Sequence, residues 1–281
     1  VTVTDAPAAP SGTAGTAPAR RRRDPRGALL GVLGLVVFAG VLELLPRSGL
    51  VPEQFFPPFS RMVSALADLA GQSSFWIATW DTVRTWAIGF AIALVAGVGL
   101  GLLLGSVEVL RRLTASTVEF LRPVPSVALI PLAVLVFGIR DISSTVLLVV
   151  YASFWQVLVQ VVYGVHDVDP VARETARSYQ LGPAARLRWL VWPTALPYVM
   201  TGLRLGAAVA LILAVTGELV IGGGIGLGAA IANAQSSGAV PEVYALVIVT
   251  GLLGVLVNLG ARLLERRVLS WHTSVRADLA G

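Results

Sequence analysis

Six stretches of this 281-residue chain are apolar over lengths that approach or exceed the thickness of a lipid bilayer, and that repetition leaves few folds open to it. A helix crossing the hydrocarbon core needs roughly 20 predominantly apolar residues. The runs 27–45, 85–107, 123–139, 142–165, 197–220 and 243–261 are of that order. Hydrophobic residues make up 56% of the chain and charged residues 13%, a balance that soluble domains rarely show. The expected fold class is therefore all-α, a polytopic membrane protein of about six transmembrane helices.

Each run carries a distinguishing mark. The first has one charge, Glu43, and is longer than the apolar core of a signal peptide. No small-x-small cleavage site follows it, which also weighs against a double-arginine export signal. Prolines 46, 52, 57 and 58 and a mildly amphipathic stretch, 60–70, come next, and Phe75, Trp76 and Trp80 suit a headgroup-level aromatic belt. In the second run Gly97, Gly101 and Gly105 form a small-xxx-small ridge that is expected to face protein. The third holds Pro123, Pro125 and Pro131, so it is expected to be kinked and surrounded by protein that satisfies its freed carbonyls. The fourth places Gln156 and Gln160 one turn apart, to line a pathway or to hydrogen-bond between helices. The fifth is expected to start at Pro197, with Arg204 and Glu218 near its ends as interfacial anchors and Thr216 beside the glutamate. Gln156, Gln160, Thr216 and Glu218 are the candidate pathway residues. Gly222 to Gly228 lacks the GK[ST] of a phosphate cradle and reads as a flexible outer loop.

All 21 basic residues are arginine, which removes Schiff-base chemistry and the P-loop lysine. The chain has no cysteine, and His166 and His272 both fall outside the apolar runs, so a membrane-embedded hydrolase finds no nucleophile and base at membrane depth. No metal or other cofactor is expected. A net charge of +5 reflects arginines placed between apolar spans, a matter of topology and not of nucleic-acid binding. With the N-terminus inside, seventeen arginines are cytoplasmic and four, at 47, 61, 84 and 140, are outside. The expected organisation is a disordered cytoplasmic tail over 1–26, a membrane domain over 27–270 and a short C-terminal tail over 271–281, also cytoplasmic.

On the arginine-rich side lies a polar segment, 166–197, between two spans. Asp169-Pro170 is a helix start, a capping acid followed by proline where its missing N–H is no loss. Gly182-Pro183 is expected to be the stop. The intervening helix is too short and polar to span a membrane. Ala172, Ala176 and Tyr179 fall on one face at helical spacing and Arg173, Arg177 and Gln180 on another, which fits either a docking helix with a small-residue surface or an amphipathic interfacial connector.

The chain resembles the membrane-spanning permease subunits of binding-protein-dependent ABC importers, in particular the nitrate, sulfonate and taurine subgroup. The resemblance covers most of residues 55–270. It rests on Arg122-Pro123-x-Pro125, Ile130-Pro131, Phe137-Gly138-Ile139 and Val168-Asp169-Pro170, and on Glu174-x-Ala176 followed by Pro193 and Ala195-Leu196-Pro197. The last set is similar to the family's cytoplasmic coupling loop, which begins Glu-Ala-Ala and has glycine six residues after the glutamate. This chain has Thr175 for the first alanine, Gln180 at the glycine position, Gly182 two positions late and Trp192 before Pro193. A glycine turn shifted along the helix is the expectation. The resemblance implies a type I importer permease fold, with Asp169, Ala172, Glu174, Ala176, Tyr179, Gly182 and Pro193 serving the contact to an ATPase. It also implies a second permease subunit, cytoplasmic ATP-binding subunits and an extracytoplasmic solute-binding protein as partners in the bilayer, so that the chain is a transport subunit and not an enzyme. A secondary transporter or channel is the alternative; it would call for inverted repeats or a midplane carboxylate, neither of which the sequence shows.

Overall fold

The computed structural model describes residues 25–139, 141–222 and 224–270. The arginine tail up to residue 24, Arg140, Gly223 and the C-terminal tail from 271 lie outside the described residues. Eleven α-helices are described: α1 (Pro25–Arg47), α2 (Phe59–Ala70), α3 (Ser73–Ser106), α4 (Glu108–Leu121), α5 (Ile130–Phe137), α6 (Ile142–His166), α7 (Pro170–Ser178), α8 (Pro183–Arg186), α9 (Trp192–Ile221), α10 (Leu227–Ser236) and α11 (Val240–Val268). Five helical stretches are long and apolar enough to cross a membrane, and α4 with α5, bent by 86°, makes a sixth if the pair counts as one span.

The bundle is built around α6, which is packed between α3 and α9. Glycines of α3 meet valines of α6 one rung at a time. A Cβ added at Gly89 would lie 2.6 Å from Val149, at Gly97 2.9 Å from Val157, at Gly101 2.7 Å from Val161 and at Gly105 2.7 Å from Val165. Those distances leave no room for a side chain, so the ridge expected from the sequence does face protein, and it extends to Gly89. Every pair is offset by the same sixty positions, so α3 and α6 run parallel. The chain must therefore cross back between them, and the bent α4–α5 segment is the element that does so.

On its other side α6 meets α9 in the opposite sense. Gly164 lies against Ala195 and Tyr198, Gly202 against Val157 and Gln160, Gly206 against Val157 and Ser153, and Gly217 against Thr145 and Leu148. Leu148, Val149, Val157, Val161, Ala210 and Ala214 are buried at the heart of this packing. The Trp86 indole N–H closes the triangle, donating to the Ala207 carbonyl at 2.9 Å. A second cluster joins Phe75 and Ala78 of α3 to Leu227 and Ile231 of α10 and Leu246 and Val249 of α11.

Several boundaries differ from the sequence expectation. Helix α3 begins at Ser73, twelve residues early, and its 34 residues extend about 51 Å at 1.5 Å per residue, well past the bilayer core. Phe75 is buried inside the bundle, while Trp76 and Trp80 are exposed as an interfacial belt requires. The stretch after Ser106 is a helix, α4, whose Glu108 pairs with Arg111 and Arg112 one turn on. Pro197 does not open the fifth span but sits inside α9, which continues α8 through a π turn, Leu187–Val191. There the Trp192 N–H bonds to the Leu187 carbonyl, five residues back. Pro193 has no N–H to give to the carbonyl of Trp189 and its ring pushes that carbonyl aside, so the helix widens just ahead of it.

The proline-broken third run is satisfied by α6 and not by a surrounding shell. Ser144 Oγ donates to the Gly138 carbonyl at 2.6 Å, where α5 ends with Gly138 at φ +91°, and lies 3.2 Å from the Ala133 carbonyl. Tyr151 donates to the Leu121 carbonyl at the end of α4, at 2.5 Å. The remaining surface of α5 is open, with Leu135 84% exposed, because this single chain does not enclose it.

Replacing Gly101 by leucine should overpack the α3–α6 contact by about 1–3 kcal/mol or more, whereas the same change at Gly99, which has open space around it, should be tolerated. Thermal unfolding of the detergent-purified protein checks the pair: equal melting temperatures for Gly101→Leu and Gly99→Leu would contradict the packing described above.

Candidate functional site

The polar loop between α6 and α9 is ordered by its own backbone chemistry. Asp169 caps α7, its Oδ1 accepting the Val171 N–H at 2.7 Å, and Pro170 occupies the first turn. Val168, just ahead of the cap, is buried and fastens the entry of the helix to the bundle. The helix runs nine residues and then closes earlier than Gly182-Pro183 suggests.

The closing turn is made at Gln180. Its φ is +55°, the only positive value among the described residues other than glycine. The Leu181 N–H bonds to the Ala176 carbonyl at 3.0 Å and the Gln180 N–H to the Arg177 carbonyl at 2.8 Å. These two bonds are the Schellman pattern, with glutamine in the left-handed position that glycine usually takes. Gly182 is extended, at φ −61°, and caps α8, where Pro183 stands in the first turn. The turn has therefore not moved along the helix. It stays where the resembling family has glycine, and Gln180 adopts the strained conformation itself.

This early closure changes which side chains are available. Ala176 is 6% exposed and packs inward, so the expectation that Ala172, Ala176 and Tyr179 share one outward surface is corrected. Ala172 is half-buried, and Tyr179, which follows the last helical residue, is 79% exposed. The outward stripe is instead Val171, Glu174, Thr175 and Ser178, spaced one turn apart, with Val171 69% exposed. Pro193 lies beyond the π turn, at the start of α9.

A second polar assembly sits at the opposite end of the bundle. Glu218 is only 7% exposed, contrary to its reading as an interfacial anchor. Its Oε2 accepts from Thr82 Oγ1 at 2.7 Å and from the Gly228 N–H at 3.1 Å, while the Leu227 N–H donates to Thr82 Oγ1 at 2.8 Å. The carboxylate thus caps the N-terminus of α10 and ties it to α3. Two glycines make that approach possible: a Cβ at Gly226 would lie 2.4 Å from Glu218 Cδ, and one at Gly228 2.2 Å from the Val215 carbonyl. The segment expected to be a flexible loop is, at Leu227 and Gly228, the first turn of a buried helix.

Glu218 also borders a cavity of about 180 Å³ shared with Asp81, Arg84, Thr85, Asp141 and Thr145. Asp141 accepts the Ser143 N–H at 2.8 Å as the cap of α6, and that bond holds its carboxyl below the usual aspartate range. Gln156, Gln160 and Thr216 are half-buried along α6 and α9, the stem of Gln160 resting near Gly202. Arg204 pairs with Glu265 of α11 at 3.7 Å. Among the described residues no cluster of histidine, aspartate and glutamate could hold a metal ion.

Residues 93–270 match the protein family described as binding-protein-dependent transport system inner membrane component. The chain is 32% identical to the taurine transport system permease protein TauC of Escherichia coli over 256 residues, covering 89% of this chain and 92% of that protein. It is 26% identical to the nitrate import permease protein NrtB of Synechocystis over 274 residues, covering 92% and 98% respectively. Among solved structures it shares the fold of a chain of the inward-facing MetNI methionine ABC transporter, with a TM-score of 0.60 at 18% identity over 69% of this chain and 96% of that one.

Gln180→Gly should raise stability by about 1 kcal/mol, since it relieves a left-handed side chain without touching the two bonds of the turn, and Gln180→Val should lower it. Melting curves of the two purified variants, taken beside the unaltered protein, give the order directly; a destabilised glycine variant would mean that the glutamine side chain stabilises the turn.

Proposed function

The chain belongs to the binding-protein-dependent transport system inner membrane component family, and from that premise we propose how its parts divide the work. It is a multi-pass inner-membrane protein, the permease subunit of an ATP-driven importer, and it is not an enzyme: hydrolysis falls to separate ATP-binding subunits, and solute arrives on a substrate-binding protein. That membership decides against the secondary-transporter or channel alternative. The similarity to taurine and nitrate permeases supports a small sulfonate- or nitrate-like solute.

Both termini and the α7 loop are cytoplasmic in this reading. Its support is the arginine asymmetry, together with the parallel α3 and α6, which requires the α4–α5 segment to cross and so preserves the six-span count. Cysteines introduced at Ser178 and Ser270, both exposed, should then react only with reagents that enter the cytosol, and one at Ser237, exposed after α10, should react from outside. The chain has no cysteine of its own to interfere. Labelling of position 178 by an impermeant reagent in intact cells would reverse the assignment.

Helix α7 is the part that couples the permease to its ATPase. The observation that carries this is a short helix capped at both ends, seated on the bundle by Val168 and Ala176, that turns Val171, Glu174, Thr175 and Ser178 outward with Tyr179 at its tip. Asp169 and Gln180 shape the helix. Ala172 and Ala176 set its height above the bundle, and Gly182 and Pro193 set the path of the chain back into α9. A second permease subunit covers the open side of α5 and completes the pathway, of which Gln156, Gln160, Thr216 and the cavity beside Glu218 form this chain's share.

Val171→Asp should disrupt docking more than Glu174→Ala. The first puts a charge into the centre of the contact, whereas the second removes one charge-assisted contact, worth about tenfold in affinity if it is desolvated. The measurements are pull-down of the ATP-binding subunit and solute-stimulated ATP hydrolysis by the reconstituted complex. Wild-type values for Val171→Asp in both would make α7 a connector only.

A further inference from the structure

Behind α7, on the side away from its outward stripe, lies a cavity of about 360 Å³ at the inner ends of α3 and α6, bordered by the α8 turn. Three arginines line it: Arg173 and Arg177, which are exposed to solvent, and Arg186, which is half-buried. None of the three is in an ion pair among the described residues, where the paired arginines are 47, 61, 111, 112 and 204. Arg186 Nε is buried without a hydrogen-bond partner. Arg173 gives one Nη to the Val165 carbonyl at 3.3 Å.

The carbonyl-bearing end of α6 accounts for Arg173, since cations are favoured at a helix C-terminus. It does not account for Arg186. A buried guanidinium nitrogen left unpaired is costly, and three like charges around one cavity repel. Both penalties are relieved by an anion that accepts several N–H bonds at once, and guanidinium matches the oxygens of phosphate and sulfate in a bidentate fashion. The surroundings add a location. Arg188 lies over the Trp189 ring at 5.5 Å, and Trp189 and Trp192 are exposed beside it, which marks this level as the membrane surface. Leu187, Leu190 and Val191 give the cavity an apolar wall.

We propose that this cavity is an oxyanion site, in which Arg173, Arg177 and Arg186 hold a phosphate- or sulfate-like group at the cytoplasmic membrane surface. The group is carried by an anionic phospholipid or comes free from the cytosol; the chemistry of recognition is the same. Basic cavities between spans at this face are well suited to lipid headgroups. The site lies directly under the coupling helix, so its occupancy bears on how firmly α7 is seated. The inference goes beyond the transport reading and does not depend on docking of α7, because its readout is ligand retention and not ATP hydrolysis.

The test uses the full-length permease purified with its partner subunits. Retention of phosphatidylglycerol against phosphatidylcholine is read by native mass spectrometry, and binding of inorganic sulfate by the shift in melting temperature during titration. Saturable binding of either probe is expected. Arg177→Gln with Arg186→Gln should weaken it about tenfold or more, and Arg186→Lys, which keeps the charge but loses the bidentate geometry, should weaken it less. Preference for phosphatidylglycerol without a sulfate response identifies the lipid source, and the reverse identifies the cytosolic one. The wild-type titration stands even if the double variant fails to fold. Absence of saturable binding of both probes to the wild type, or unchanged affinity in the glutamine variant, overturns the proposal.

Discussion

The close approach of α3 and α9 to α6 is the contact on which the other elements of the bundle depend. Lipid tails are as apolar as leucine, so burying hydrophobic side chains between spans gives little net gain in a bilayer, and helices associate through dispersion and polar contacts that need short distances. Glycine supplies those distances on both sides. On α3 the glycines receive valines of α6, and on α9 they receive the α6 backbone and the stems of its side chains. Valine has one strongly preferred rotamer in a helix, so these knobs are stiff and little entropy is lost in seating them. Because α6 presents different faces to a parallel and an antiparallel neighbour, it also fixes how the chain must cross between them.

Satisfaction of backbone groups follows from that arrangement. A run broken by prolines exposes carbonyls that no water can reach at membrane depth. Ser144 and Tyr151 of α6 hydrogen-bond carbonyls at the far end of the bent segment and at its bend, and both hydroxyls are positioned because α6 is already held. At the end of the bundle away from α7 the same logic applies to Oε2 of Glu218, which is buried and therefore costly unless bonded. Thr82 and the first turn of α10 provide the donors. A carboxylate that looked like an anchor is a fastening between α3, α9 and α10.

The number and order of spans could be read from apolar runs because the length of a membrane helix is set by an external dimension. Helix starts with a chemical marker were equally readable: Asp169-Pro170 caps α7 where expected. The features that escaped reading are those fixed by contact. Helix α10 was hidden by glycines, which in isolation signal a loop, but Gly226 and Gly228 are there to let Glu218 approach. Helix α4 could have been found from Glu108 with Arg111 and Arg112 three and four residues on. The closing turn of α7 was misplaced because glycine at 182 outranked glutamine at 180 as a left-handed residue; the resembling family's glycine at that position was the available signal. The inward face of Ala176 could not be inferred from spacing alone, since an amphipathic nine-residue helix offers two plausible faces.

The ladder between α3 and α6 repeats mostly every four residues, and a repeat of that kind carries little positional information. Slid by one turn in either direction, two of the four glycines would again find a valine. The shared offset places Ala93 of α3 opposite Ser153 of α6, both fully buried, and this is the irregular rung. A one-turn slide in either direction would carry the Ala93 methyl to Val149 or Val157, where even the Cβ of an alanine at the present glycine positions would fall under 3 Å from its neighbour. One methyl group thus adds to the register: the glycines let the helices close, and the alanine resists a slide that would drive it into a valine.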